Sequence, residues 1–198
     1  SPQADMGNYS FDRHGIEPDK VLIPRDAGDF NRDGKSEIVA GDGAQTIILQ
    51  AQTTNSYPDR RVWESSNDVW GAAMVDVEGD SVYELVARTA NVWGIWQHEG
   101  DFQLQLTSEL PNPTSGSNQT GIPRFASGDF KGDDLVGLVF GDGDGDVYLY
   151  EQVQGISFQH AWSFRLPFPN GIEFLTAGDF DGDGVDEFVA GCHQDADP

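Results

Sequence analysis

The chain has 198 residues, of which 34 are acidic and 11 basic, giving a formal net charge of -23. A nucleic-acid surface needs a basic footprint, so an exposed polyanion is excluded as the partner. Twelve Phe, five Trp and five Tyr are too many aromatics for a solvating acidic tail, so a folded domain with acidic loops is expected.

The N-terminal stretch SPQADMG has neither a signal-peptide pattern nor an initiator Met, and reads as a mature end or an artificial boundary. Sequons at Asn8-Tyr9-Ser10 and Asn118-Gln119-Thr120 are compatible with a secreted glycoprotein. The first strand candidates are residues 8–11 (NYSF) and 20–24 (KVLIP). Thr46–Gln50, Arg61–Glu64, Gly71–Val75, Val92–Gln97, Asp101–Leu106, Asp146–Tyr150 and His160–Phe164 follow. All are short, rich in β-branched and aromatic residues, and bounded by Gly, Pro, Asn or Asp. No sustained helical period appears, and no apolar run approaches the roughly 20 residues that span a bilayer.

Between these strands one acidic motif recurs. AGDFNRDGKSEIVAGDG starts at residue 27, MVDVEGDSVYELVARTA at 74, SGDFKGDDLVGLVFGDG at 127 and AGDFDGDGVDEFVAGCH at 177. The leading aspartates, Asp29, Asp76, Asp129 and Asp179, lie 47, 53 and 50 residues apart (29 to 76, 76 to 129, 129 to 179). Repeats of that period are supersecondary units that bury their faces against neighbours. The reading is therefore an all-β chain of β-propeller-type repeats, four blades of about 50 residues in a single domain over 1–198. Its motifs begin near 28, 75, 128 and 178. A sandwich has no reason to repeat an acidic loop, and solenoid coils are shorter. Residues 8–23 are expected to supply the outer hairpin that the last unit lacks, closing a four-bladed ring; otherwise the chain is half of a larger propeller.

Counting from each leading aspartate, positions 1, 3, 5 and 9 carry oxygen side chains in three copies. Copy four has Asp179, Asp181, Asp183 and Glu187, with the Val185 carbonyl at position 7. Copy one has Asp29, Asn31, Asp33, the Lys35 carbonyl and Glu37; copy two has Asp76, Glu78, Asp80, the Val82 carbonyl and Glu84. The alternation matches the opening of an EF-hand calcium loop, with an earlier closing acid because a strand follows. Two or three Ca2+ ions are expected, Mg2+ being less suited to an all-protein cage. Copy two, with Ser81 in place of the turn glycine and a long Glu78, is expected to be weaker. Copy three has Lys131 at position 3 and Gly137 at position 9. It is expected to hold no ion, Lys131 neutralising Asp129 and Asp133. Asp186 is expected to be a solvated bystander. Turn formation by Asp-Gly pairs is the competing explanation.

With Gly-Asp-Phe at 28–30, 128–130 and 178–180 and a DxDxDGxxE-like loop after it, the sequence resembles the FG-GAP or VCBS repeats of integrin α-chain propellers and of related secreted fungal and bacterial proteins. The resemblance covers residues 20–193. It implies a calcium-binding β-propeller, usually of seven blades, from which four motifs depart. Some fungal relatives are lectins; others are adhesion modules or appendages of enzymes.

Function beyond the cation is read in two ways. As a lectin, the chain would stack tryptophans on a carbohydrate, with Trp70, Trp93 and Trp96 as candidates among Trp63, Trp70, Trp93, Trp96 and Trp162. Trp93 and Trp96 face opposite sides of their strand. As a protein-protein or adhesion module, it would use calcium as a staple. No catalytic residues are assigned, because His14, His98, His160 and His193 lie outside any triad or metal-binding pattern. The GDGDGD run, whose Asp142, Asp144 and Asp146 alternate, offers ligands for a second type of cation but lacks a closing acid, so a Gly-rich hairpin turn is the favoured reading. The lone Cys192 and the open end of the last unit admit a homodimer. The expected location is extracellular.

Overall fold

The structure is a computed structural model that describes residues 22–41, 45–66, 69–89, 92–100, 102–114, 124–167 and 171–192. Every regular element is a strand, as the short β-branched runs dictate. The first sheet runs in the order β1 (Ile23–Gly28), β2 (Glu37–Gly41), β3 (Thr46–Ala51), β4 (Pro58–Glu64). The second repeats it with β5 (Trp70–Val75), β6 (Glu84–Arg88), β7 (Val92–His98) and β8 (Leu104–Pro111). The third has β9 (Arg124–Gly128), β10 (Gly137–Gly141), β11 (Asp146–Gln154) and β12 (Ser157–Arg165). The fourth has β13 (Phe174–Gly178) and β14 (Glu187–Gly191). All neighbours pair antiparallel, so each unit is a meander.

The sheets are stacked through apolar layers. Phe30, Val39 and Ile48 meet Met74, Leu85 and Trp96 between the first two units. Trp93, Ile95 and Leu110 meet Leu138, Phe140 and Tyr148 between the second and third. Val139, Val147 and Leu149 meet Leu175, Phe188 and Ala190 between the third and fourth. Each central strand is thus apolar on both faces. Trp93 and Trp96 illustrate this, because they enter different layers as their spacing requires. Polar groups lock the stack: Thr46 Oγ1 donates to the Val69 carbonyl at 2.8 Å, and Trp93 Nε1 donates to Tyr148 Oη at 2.9 Å.

The first strands of successive units lie side by side, β1 against β5, β5 against β9 and β9 against β13. All four border one cavity of about 320 Å3, to which they contribute Pro24, Ala72, Phe125 and Leu175 among others. No described strand closes the array into a ring. The expected closing hairpin is corrected in part: Ile23 opens β1 and pairs with Gly41 inside the first sheet, while residues 8–21 lie outside the described residues. The strand expected at 101–106 is also displaced, since β8 begins at Leu104. Phe102 instead turns the chain with a positive φ of 53° and buries its ring in the first apolar layer. No helix among the described residues is long and apolar enough to cross a membrane.

Candidate metal centres

Each acidic motif occupies the connection between the first two strands of its unit, at 29–36, 76–83, 129–136 and 179–186. The four backbones share one shape. Position 4 is left-handed in every copy, with φ of 57° at Arg32, 70° at Gly79, 68° at Gly132 and 83° at Gly182. Position 6 is left-handed too: 81° at Gly34, 74° at Ser81, 62° at Asp134 and 91° at Gly184. Glycine takes this region without strain, whereas Arg32, Ser81 and Asp134 occupy it at a cost.

The leading aspartate holds that shape. Asp29, Asp76, Asp129 and Asp179 each accept the position-6 N–H through Oδ2, at 3.0, 2.8, 2.8 and 3.0 Å. The position-5 aspartates Asp33, Asp80, Asp133 and Asp183 each accept the N–H of position 7, at 2.9, 2.8, 3.2 and 2.9 Å. Turn formation is therefore part of what these residues do. A carboxylate oxygen has a second lone pair, so these bonds leave room for a cation.

The closing acid separates three loops from the fourth. Glu37, Glu84 and Glu187 are the first residues of β2, β6 and β14, and each accepts the position-2 N–H at 2.9 Å. Glu37 and Glu84 are buried, and burial raises the pKa of both, Glu84 to about 7. The other oxygen of Glu37, Oε1, is buried without a hydrogen-bond partner. An orphaned carboxylate oxygen next to Asp29 and Asp33 fits a cation ligand.

The loops nonetheless differ in how far their ligands converge. Among the described residues two groups of acidic side chains bring ligand atoms within 4.8 Å of one another: Asp179, Asp181 and Glu187, and Asp142, Asp144 and Asp146. Both groups are able to chelate a divalent cation. Loop four thus assembles three of its expected ligands. In loop one, Asp33 Oδ2 faces Lys35 Nζ at 2.8 Å and Gln50 Nε2 at 2.9 Å. The Lys35 side-chain hydrogen bond holds the Asp33 carboxyl below its ordinary pKa. In loop two, Glu78 turns away to accept from Gln97 Nε2 at 2.7 Å.

Copy three departs from expectation in an informative way. Lys131 Nζ pairs with Glu151 Oε2 at 3.4 Å, not with the loop aspartates. Glu151 is buried on β11 directly opposite Gly137, the position where copy one places Gln50 opposite Glu37. The acid has moved to the neighbouring strand and carries its own cation. Gly137 is small because the Phe130 ring occupies the space, 2.4 Å from where a Cβ would stand. Desolvation pushes the Asp129 carboxyl up, but N–H groups of Asp134, Asp133, Lys131 and Gly132 outweigh it and leave it below the usual range.

Asp186 is no bystander. Its Oδ2 accepts the Asp129 N–H at 2.8 Å, and its own N–H donates to the Asp129 carbonyl at 2.8 Å, latching loop four to loop three. The GDGDGD run does make the β10–β11 turn, yet it also buries its three aspartates, which periodicity alone did not reveal. Asp142 Oδ1 accepts the Asp144 and Asp146 N–H groups at 3.2 and 2.9 Å. Arg165 reaches Asp144 Oδ2 at 2.9 Å and Asp146 Oδ2 at 3.8 Å. Burial raises the Asp142 carboxyl.

The tryptophans are placed differently from a sugar platform. Trp93 and Trp96 are 1% and 8% exposed, so their ring faces are spent on packing. Trp70 opens β5, half-buried with the Arg88 guanidinium 5.5 Å from its ring centroid. Trp162, on β12, is the most exposed of the described tryptophans, stacked on Phe164 at 6.0 Å with its edge contact to Phe188 at 5.8 Å. Cys192 is a free, half-buried thiol just after β14.

A family model described as an FG-GAP-like repeat matches residues 129–190, the span that holds loops three and four. These residues form an FG-GAP-like repeat. No curated protein matches the sequence. The crystal structure of the V. cholerae biofilm matrix protein Bap1 is similar over 91% of this chain and 30% of that chain, at 19% identity and a TM-score of 0.48. The chain therefore spans less than a third of that protein's length.

Proposed function

We propose that the chain is a calcium-stapled β-repeat module of an extracellular protein, built as an arc of a propeller, that recognises a protein partner. The observation that carries this reading is the shared loop geometry. Three loops place a closing glutamate on the position-2 N–H at 2.9 Å, and in loop four Asp179, Asp181 and Glu187 already converge. Hard oxygens from one short loop suit Ca2+ better than Mg2+, and extracellular calcium is high enough for modest sites. Loops one and four are the stronger sites, loop two the weaker one, and loop three, with Gly137 in place of the closing acid, holds none. Four first strands bordering one cavity support a propeller arc, closed within the chain or completed by further repeats.

Recognition of protein fits better than recognition of carbohydrate because Trp93 and Trp96 are buried and Trp70 lies under Arg88. Calorimetric titration of the chelated protein with calcium is the first test. Two or three sites are expected, each contributing about 2.7 kcal/mol of stability when calcium exceeds its Kd a hundredfold. Glu187→Gln is expected to remove one site and leave the others. Titration without heat and without stabilisation would refute the calcium reading. For the partner, immobilised calcium-loaded protein is expected to retain a defined protein that chelator releases. A saccharide that perturbs tryptophan fluorescence, with the response lost in Trp70→Ala, would return the lectin reading.

A further inference from the structure

The cavity where the four first strands meet is cationic in a chain of formal charge -23. Arg25 from β1 and Arg124 from β9 both line it, and Glu173 is the single carboxylate among its lining residues. Among the described residues neither guanidinium has an ion-pair or hydrogen-bond partner, and Arg124 Nε is buried with none. With 34 carboxylates in the chain, two half-buried arginines lining one cavity, neither ion-paired among the described residues, is an arrangement against the electrostatic odds. Burial, then the neighbouring Arg124 charge, lowers the Arg25 pKa, so the two guanidinium groups repel. Two like charges that no described residue pairs are poised for a counter-ion.

We propose that this cavity is a binding site for a small organic monocarboxylate, its carboxylate between Arg25 and Arg124 and its apolar body against Phe125 and Phe174. The planar guanidinium fork matches a carboxylate's two oxygens, which favours this class over a spherical anion. A single negative charge is also favoured over a dianion such as phosphate, because the acidic surface repels each charge that approaches. The cavity volume of about 320 Å3 suits a ring-sized molecule, and Phe125 and Phe174 supply aromatic surface beside the arginines. The site is separate from the acidic loops, so its ligand is independent of the ions proposed there.

Benzoate titrated into the full calcium-loaded chain tests this, with benzyl alcohol as the neutral isostere and inorganic phosphate as the dianion. Saturable benzoate binding by calorimetry is expected, with no response to the alcohol and a weaker one to phosphate. Arg25→Gln and Arg124→Gln are each expected to weaken benzoate roughly tenfold or more, the worth of a charge-assisted hydrogen bond. Arg124→Lys keeps the charge and the fold and is expected to retain part of the affinity. No saturable benzoate binding to the native chain would overturn the proposal, as would equal binding of the alcohol. Tighter binding of phosphate would overturn the ligand class, and benzoate binding that survives both Gln substitutions would place the carboxylate on a loop ion instead.

Discussion

At the scale of the residue, position 6 of the loops decides how much strain each copy carries. Ser81 sits at φ 74° and Asp134 at φ 62°, where glycine stands in copies one and four. Among the described residues Ser81 Oγ has no hydrogen bond that offsets the strain, and its N–H bond to Asp76 is a backbone bond that glycine keeps. Ser81→Gly is therefore expected to stabilise the protein by about 0.5–1 kcal/mol, strain relief exceeding the added chain entropy. A thermal melt should show a rise of about 1–4 °C for a chain of this size. The motif made positions 1, 3, 5 and 9 legible because a ligand role and a turn role demand the same oxygen-bearing residues. It did not make Asp186 legible, since that side chain acts on the neighbouring loop of the stack, and a contact between residues 57 apart leaves no local pattern. The positive φ at Arg32 was equally hidden, because the copies with glycine at position 4 suggested no constraint that copy one would have to meet by strain. Burial hid the lectin question too: a tryptophan in an apolar run reads alike whether it packs or binds.

At the scale of the element, the loop and the strand after it form one electrostatic unit. In copy three Lys131 offsets the buried Glu151 on the neighbouring strand, whereas copies one, two and four leave the closing acid in place. Lys131→Ala leaves the buried Glu151 without its cation. Because the lysine is 45% exposed, solvent screens part of the loss and about 1 kcal/mol of destabilisation is expected. Denaturant melts of this variant in chelator measure the loss, and an unchanged midpoint would mean that Glu151 is satisfied without Lys131. In the loops with closing acids, pH takes the place of sequence. Glu84 has a folded-state pKa of about 7 against an ordinary 4.5, mainly because burial penalises its charge. A raised carboxyl favours the fold in its neutral form: that contribution is whole below 4.5 and is lost as pH rises through about 7. Chelated protein is therefore expected to lose stability from pH 5 to pH 8, as far as Glu84 is concerned. A cation prefers the ionised ligand, so the calcium-induced rise in Tm should grow over the same interval. Paired melts with calcium and with chelator across that range measure both trends, and a calcium effect that shrinks with rising pH would contradict the ligand role of Glu84.

At the scale of the whole molecule, four repeats were legible because each needs the same loop, but their closure was not. The period fixes what a unit is, whereas closure depends on which surface covers the last sheet, and that surface carries no repeated signal. The fourth sheet has two described strands, with Phe174 and Val189 exposed at 56% and 46%. A two-stranded sheet has little stability of its own, so β13 and β14 must be held by their neighbours. The apolar layer with Val139, Val147 and Leu149 supplies one hold, and the paired bonds between Asp186 and Asp129 supply another. In a stack where each unit touches its neighbours, opening starts at the unit with the fewest holds. Asp186→Ala removes the carboxylate that receives the Asp129 N–H and is expected to weaken the junction by about 1–2 kcal/mol. Hydrogen exchange read by mass spectrometry should then show β13 and β14 losing protection roughly 5–30-fold. Strands β5 to β8 of the second sheet, flanked on both sides, should keep theirs. Uniform loss across all four sheets would mean instead that the array unfolds as one cooperative body and that the latch stabilises the whole of it.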